Sequence, residues 1–302
     1  MNVIVLTLPN LRIILAAMFV IVCWAYSPIG IRIGLQAYEP GQLALMRFLI
    51  ASLFMATVAL VKRISLPRAK DLPILSVLGL FAVSVHHIAL NNGQQGVSAG
   101  AASVLAQSTP LFSALLASLL FKERVSAWQW LCVLLGFTGA LIVVAGDQGL
   151  ESINLHGLLI LLAALSWSLY FALQKRHSGR YDSLTMVCYT IWSGTLLLLV
   201  YLPGLWTRVH AASAQVNIAL LLLGIFPSAL AYLAWAYVLA HSNVSRASMA
   251  LYLVPPTAML MASVLLAELP SPWVVVGAGI VLSSVLALGL QPSRRARASS
   301  KA

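Results

Sequence analysis

Apolar stretches, each about the length of a bilayer-crossing helix and each ended by a charged, glycine- or proline-bearing break, follow one another along the whole chain. The first five cover about residues 11–31, 41–61, 72–92, 97–121 and 127–145, and five more cover about 157–174, 184–203, 217–240, 245–267 and 272–290. This pattern predicts an all-α integral membrane protein of ten transmembrane helices. The first stretch, after Asn10 and Arg12, has the position of a signal peptide but runs through Trp24 and Pro28 without a cleavage site, and is read as the first span.

An internal repeat organises the ten spans. SAGAASVLAQSTPLFSALLASLLFKERVSAW, from Ser98, aligns without gaps on NVSRASMALYLVPPTAMLMASVLLAELPSPW, from Asn243, at an offset of 145. Ser103 meets Ser248, Pro110 meets Pro255, Ser118 meets Ser263, Glu123 meets Glu268 and Trp128 meets Trp273. Near the start of each half Trp24 meets Trp167, at an offset of 143. The expected organisation is therefore one five-helix repeat over 11–145, a second over 157–290, and a basic tail over 291–302. An odd number of spans per repeat forces the two copies into opposite orientations, which puts Glu123 inside and Glu268 outside. Exchanging the conformations of two such halves turns an inward-open cavity into an outward-open one.

Charge sets the orientation. Of the 18 Lys and Arg residues, 15 fall in segments that lie inside if the N-terminus is inside, only Arg32 and Arg208 fall outside, and Arg47 lies within a span. Basic residues resist translocation, so both termini are expected in the cytoplasm, in a cell inner (cytoplasmic) membrane crossed many times. The same distribution turns the net charge of +11 into a topology signal and argues against nucleic acid as a partner. A chain that is 61% hydrophobic and 8% charged leaves no length for a soluble domain, so any function sits in or beside the bilayer. Cys23, Cys132 and Cys188 lie in apolar runs without metal-binding or disulfide spacing. Asn243-Val-Ser245 matches a glycosylation site, but the topology places it inside.

Trp24 with the polar, proline-bearing stretch after it, the segment from Pro40 to Arg47-Phe48, and the run LNNGQQGVSAGAASVLAQSTPLFSALLASLLFKERVSAWQWLCVLLGFTGALIVV resemble the drug/metabolite transporter superfamily. The likeness is to the EamA type, with two tandem five-helix units, and it covers nearly the whole chain. It implies a secondary carrier that exports amino acids or related small metabolites, with a site between the halves lined mainly by spans 1, 3, 4, 6, 8 and 9. Related sequences often carry an acid after the Asn-x-Gly stretch where this one has Gln94, so acid-dependent coupling at that position is not expected. A broad-specificity carrier of drugs or other solutes and a non-transport scaffold remain as alternatives. The expected partners are a small-molecule substrate and the lipid bilayer, with the chain as a monomer or homodimer and no cofactor.

Polar side chains inside a bilayer are costly unless they face another helix or a water-filled cavity, which makes them the first candidates for a substrate site. His86, His87, Asn91, Asn92, Gln94 and Gln95 cluster at the end of the third span, and Ser103 and Gln107 share one face of the fourth. Ser248 and Tyr252 are their counterparts in the ninth. Each admits a second reading, as a tie between helices. Aromatic candidates for a cavity wall are Trp24, Tyr26, Trp167, Tyr170, Trp192, Tyr232, Trp235 and Tyr237, against the alternative of anchoring spans at the interface. Substrate-binding candidates are thus Trp24, Tyr26, His87, Asn91, Gln107, Trp167, Tyr170, Trp235 and Tyr252.

Pro110 and Pro255 are the symmetric pair of hinge candidates, beside Pro28 and Pro227. Arg47 is a candidate contact for a substrate carboxylate, with snorkelling to the surface as the alternative. All seven acids, among them Glu151, fall at loops or helix ends, which argues against a buried carboxylate relay or a counter-ion for a cationic drug. No phosphate-cradling loop, HExxH motif or nucleophile–base set is present, so neither ATP hydrolysis nor an enzyme is expected. Gly136, Gly139, Ala140, Gly277 and Gly279 permit close helix approach in spans five and ten.

Overall fold

The computed structural model describes residues 8–121, 126–147, 155–177, 181–241 and 251–289. Among these residues every regular element is helical. α1 (Leu8–Gly34) and α2 (Pro40–Lys62) are single long helices. The third apolar stretch is composite, with α3 (Leu72–Gly79), a π-helical segment (Leu80–Val85) and α4 (His86–Gly93). Gln107 and Ser108 interrupt the fourth between α5 (Ala99–Ala106) and α6 (Thr109–Phe121). α7 (Ala127–Gly146), α8 (Leu155–His177) and α9 (Ser183–Leu198) follow, and a short helix α10 (Leu205–Ala211) fills what the hydropathy pattern reads as a plain loop. The eighth stretch is again composite, with α11 (Ala214–Ile225), a π-helical segment (Phe226–Leu230) and α12 (Ala231–His241). A 3-10 turn (Leu251–Leu253) leads into α13 (Val254–Leu265), and α14 (Pro272–Gly289) is the last described helix.

Side-chain caps start the helices where the chain re-enters the bundle. Ser98, Ser126, Asp182 and Ser213 each accept from a backbone N–H in the first turn of the helix that follows, and Ser126 and Gln129 form a reciprocal capping box. Eight helical stretches, from Leu11–Gly34 to Ala214–Trp235, are long and apolar enough to cross a membrane, and shorter apolar stretches at Leu251–Leu265 and Pro272–Ala287 stand where the ninth and tenth spans are expected. Leu53, Leu60 and Val264 are among the large apolar side chains that lie on the outer surface, an arrangement suited to lipid as the surrounding solvent.

The helices pair in a way that survives exchange of the two halves. α1 packs on α12 and α13, while α8 packs on α4 and α6. Likewise α2 packs on α11 and α3 on α9, and the pairs α2 with α9 and α7 with α14 map onto themselves. The π-helical segments obey the same relation, since adding the repeat offset of 145 carries Leu80–Val85 onto residues 225–230 and Phe81 onto Phe226. At the α7–α14 crossing the backbones touch: a Cβ on Gly277 would stand 2.7 Å from the Gly139 carbonyl oxygen, and one on Gly139 would stand 2.9 Å from Val281 N. Gly279 is different from its neighbours, because nothing lies within 4 Å of the place its Cβ would take.

Candidate functional site

The π-helical segment of the eighth stretch has Pro227 as its second residue, and the missing N–H leaves the carbonyl of Leu223 without its helical donor. Ser228 repairs this, its Oγ donating to Leu223 O at 2.8 Å. The same Oγ accepts from Arg47 Nε at 2.5 Å, so a backbone irregularity in one half of the chain positions a guanidinium from the other. Carbonyls of both π-helical segments also bind side chains across the halves: Trp24 Nε1 donates to Pro227 O at 3.3 Å, and Ser166 Oγ donates to Phe81 O at 2.7 Å. Ser166 precedes Trp167, the repeat counterpart of Trp24.

Beside Pro227 of the second segment and His86, which follows the first, lies a cavity of about 740 Å³. Trp24, Trp167, Tyr232 and Trp235 form much of its wall. Tyr232 stands between the two symmetric tryptophans, its ring centroid 6.3 Å from Trp24 and 5.9 Å from Trp167, and Trp235 is 5.7 Å from Trp24. His86 and His87 line the same space, with ring centroids 4.6 Å apart, and His86 lies 4.7 Å from Trp167. Their Nδ1 atoms face the carbonyls of Ala163 at 2.8 Å and Val83 at 3.0 Å. A carbonyl only accepts, so in each of these bonds Nδ1 is the donor.

One end of the cavity is closed. Gln94, fully buried there, donates from Nε2 to Pro28 O at 2.9 Å, and its Oε1 has no partner among the described residues. Above it Arg32 donates to Gln94 O at 3.0 Å and pairs with Glu268 at 3.0 Å, while the other carboxylate oxygen of Glu268 accepts from Ala99 N at 2.9 Å. Ala267, with φ 55, makes the left-handed turn that presents Glu268 to this network. At the other end the lining includes exposed Phe171 and Ser183 and reaches Tyr181, whose hydroxyl donates to Asp71 at 2.8 Å. A more polar recess of about 730 Å³, between residues 65–71 and the start of α9, shares Tyr181 with the cavity.

Of the candidates read from sequence, Trp24, His87, Gln107, Trp167, Trp235, Tyr252, Pro110 and Arg47 all line this cavity. Gln107 donates to Leu251 O at 3.1 Å, so it meets the segment that carries its repeat counterpart, Tyr252. Tyr252 turns its hydroxyl away, to Val285 O at 3.2 Å. Three of the substrate-binding candidates stand elsewhere. Tyr26 packs beside Gly30 and Ile29 in a satellite core, with its hydroxyl 3.5 Å from Ala219 O. Asn91 is wholly buried and donates to Pro40 O at 2.9 Å, tying α4 to the first turn of α2. Tyr170 is buried one turn behind the lining face, its ring 5.2 Å from Trp167.

Arg47 does not snorkel: it is 3% exposed. Pro110 and Pro255 are not mid-helix kinks either, because each occupies the first turn of a helix, where the missing N–H costs nothing, just after a break in the span. Ser248 and Glu123 lie outside the described residues. Thr109, one of the polar residues just ahead of Pro110, also lines the cavity, as do Gln174 and Ser183, which carry no repeat or spacing signal.

The profile of the EamA-like transporter family matches residues 11–145 and 155–290. A transporter of Bacillus subtilis (strain 168) named YdfC, itself uncharacterized, is 36% identical over 277 residues, covering 91% of this chain and 90% of that one. A protein of Streptantibioticus cattleyicolor named "Probable terminal-alkyne amino-acid exporter" is 32% identical, covering 94% of this chain and 96% of the other. One named "Probable amino-acid metabolite efflux pump", from Salmonella typhimurium, is 26% identical, covering 94% and 97%. A solved crystal structure shares the fold with a TM-score of 0.63 at 18% identity, over 93% of this chain and 97% of that one. With both halves matched, the chain is a multi-pass membrane protein that belongs to the EamA-like transporter family.

Proposed function

We propose that this chain is a secondary carrier that exports amino acids or related small metabolites by alternating access, through ten spans arranged as two inverted five-helix halves. The observation that carries the reading is the cavity at the crossing of the halves. Symmetry-related Trp24 and Trp167 face it, the repeat-related segments at Gln107 and at Leu251 and Tyr252 border it, and at its Gln94 end Gln94 is bonded to Pro28 and Arg32 while Arg32 pairs across the halves with Glu268. On the charge-derived topology that end is outside and the Tyr181 end is cytoplasmic, which makes this an inward-facing conformation. One relative named as a probable amino-acid exporter and one named as a probable amino-acid metabolite efflux pump support the substrate class.

Efflux of a labelled amino-acid and metabolite panel from proteoliposomes tests the reading, with the native chain compared with Gln107→Ala and Trp167→Ala at several pH values. Saturable, trans-stimulated flux that both variants weaken is the expected result. Flux that rises linearly with concentration would point to a channel, and absence of flux from well-folded protein would remove the carrier reading.

A further inference from the structure

Arg47 presents a charge with no counter-charge among the described residues. Its Nε is committed to Ser228, and Ser228 is in turn committed to Leu223 O. Its Nη1 has no hydrogen-bond partner among the described residues, although the side chain is 3% exposed and borders the cavity. The five described acids are all engaged elsewhere: Glu39 with Arg208, Asp71 with Tyr181, Asp147 with Ser98, Asp182 with Thr185 and Glu268 with Arg32. His86 and His87 add no negative charge, and the Phe48 ring, 5.6 Å from the guanidinium carbon, offers only its face. A cation held away from water and without a counter-charge is costly, and inside a membrane it marks the place where a charged ligand is received.

We infer that Arg47 is the anion subsite of the cavity, binding the carboxylate of the transported molecule through its guanidinium while Trp24, Trp167 and Trp235 hold its apolar part. The subsite rests on the carrier reading above and narrows it: a carboxylate becomes a requirement, and the carboxamide of the same molecule is rejected. The guanidinium is oriented by Ser228, and a planar fork suits a carboxylate better than an ammonium does; because Nη1 is buried, the lining beside it shifts when a carboxylate reaches it.

Quenching of intrinsic tryptophan fluorescence in nanodiscs separates this inference from transport itself. Leucine, phenylalanine and lactate are titrated against leucinamide, phenylalaninamide and lactamide, on the native chain, Arg47→Gln and Arg47→Lys, with folding checked by size exclusion and circular dichroism. The native chain should bind carboxylates at least about tenfold more tightly than carboxamides, Arg47→Gln should lose that preference, and Arg47→Lys should keep part of it. Equal binding of acid and amide to the native chain, or no binding of any carboxylate, overturns the subsite without reference to any variant. Proteoliposome flux is measured alongside: carboxylate-selective binding without flux overturns the carrier reading and leaves the subsite, whereas flux that ignores the carboxylate overturns the subsite and leaves the carrier.

Discussion

Trp24 and Tyr26 are two residues apart on one helix, yet they belong to different parts of the molecule. The indole of Trp24 donates to Pro227 O and faces the cavity, while the ring of Tyr26 is wedged against α11. Trp24→Phe removes one cross-half hydrogen bond and part of the wall, and should raise the half-saturation concentration for flux about fivefold, the equivalent of about 1 kcal/mol. Tyr26→Phe and Tyr170→Phe should leave it within about twofold, because neither hydroxyl borders the cavity. A concentration series of labelled substrate in proteoliposomes checks all three. At this scale the residue types were legible in the sequence as polar or aromatic positions inside apolar runs. Which of them face the cavity was not: Tyr26, Asn91 and Tyr170 have the same composition signal as Trp24, Gln107 and Trp167.

Elements carry the irregularities that make a site out of a bundle. The π-helical segment at Phe226–Leu230 follows from Pro227, which the sequence displays, but the matching one at Leu80–Val85 contains no proline and arises in contact with α8 and α9. Ser228→Ala should destabilise the fold by about 1–3 kcal/mol, since it strips the donor from buried Leu223 O and the acceptor from Arg47 Nε together; thermal unfolding in detergent measures it. Gly277→Leu should be at least as damaging, because a side chain there meets the Gly139 carbonyl and Val143 rather than open space, whereas Gly279→Leu should be tolerated. Hydropathy located these glycines on α7 and α14. The side of each helix that touches its partner is set by the crossing, which hydropathy does not encode.

For the whole molecule the decisive feature is that one end of the cavity is closed by bonds between halves. Glu268→Gln removes the charge that holds Arg32, and a partly exposed pair of this kind contributes about 1 kcal/mol. The equilibrium should therefore shift toward opening at that end. Ala102→Cys, at a buried cavity position, should react about fivefold faster with an impermeant thiol reagent from that side when Glu268→Gln is also present, against a background of buried Cys23, Cys132 and Cys188. An unchanged labelling rate would remove the ion pair from any gating role.

What depends on solvent and on chain order is already written along the chain: helices of bilayer length, because about twenty apolar residues have no other stable form in lipid, and a duplicated plan, because the repeat from Ser98 to Trp128 recurs at an offset of 145. Tertiary structure decided which side chains converge. Arg47, Ser228, Trp24 and Pro227 lie on three helices far apart in sequence, and no periodicity along a single helix records a neighbour on another. Only when the halves cross do Pro227 and Ser228 of one helix become the partners of a tryptophan and an arginine from two others, with one buried guanidinium nitrogen of that cavity-lining arginine left without a partner among the described residues.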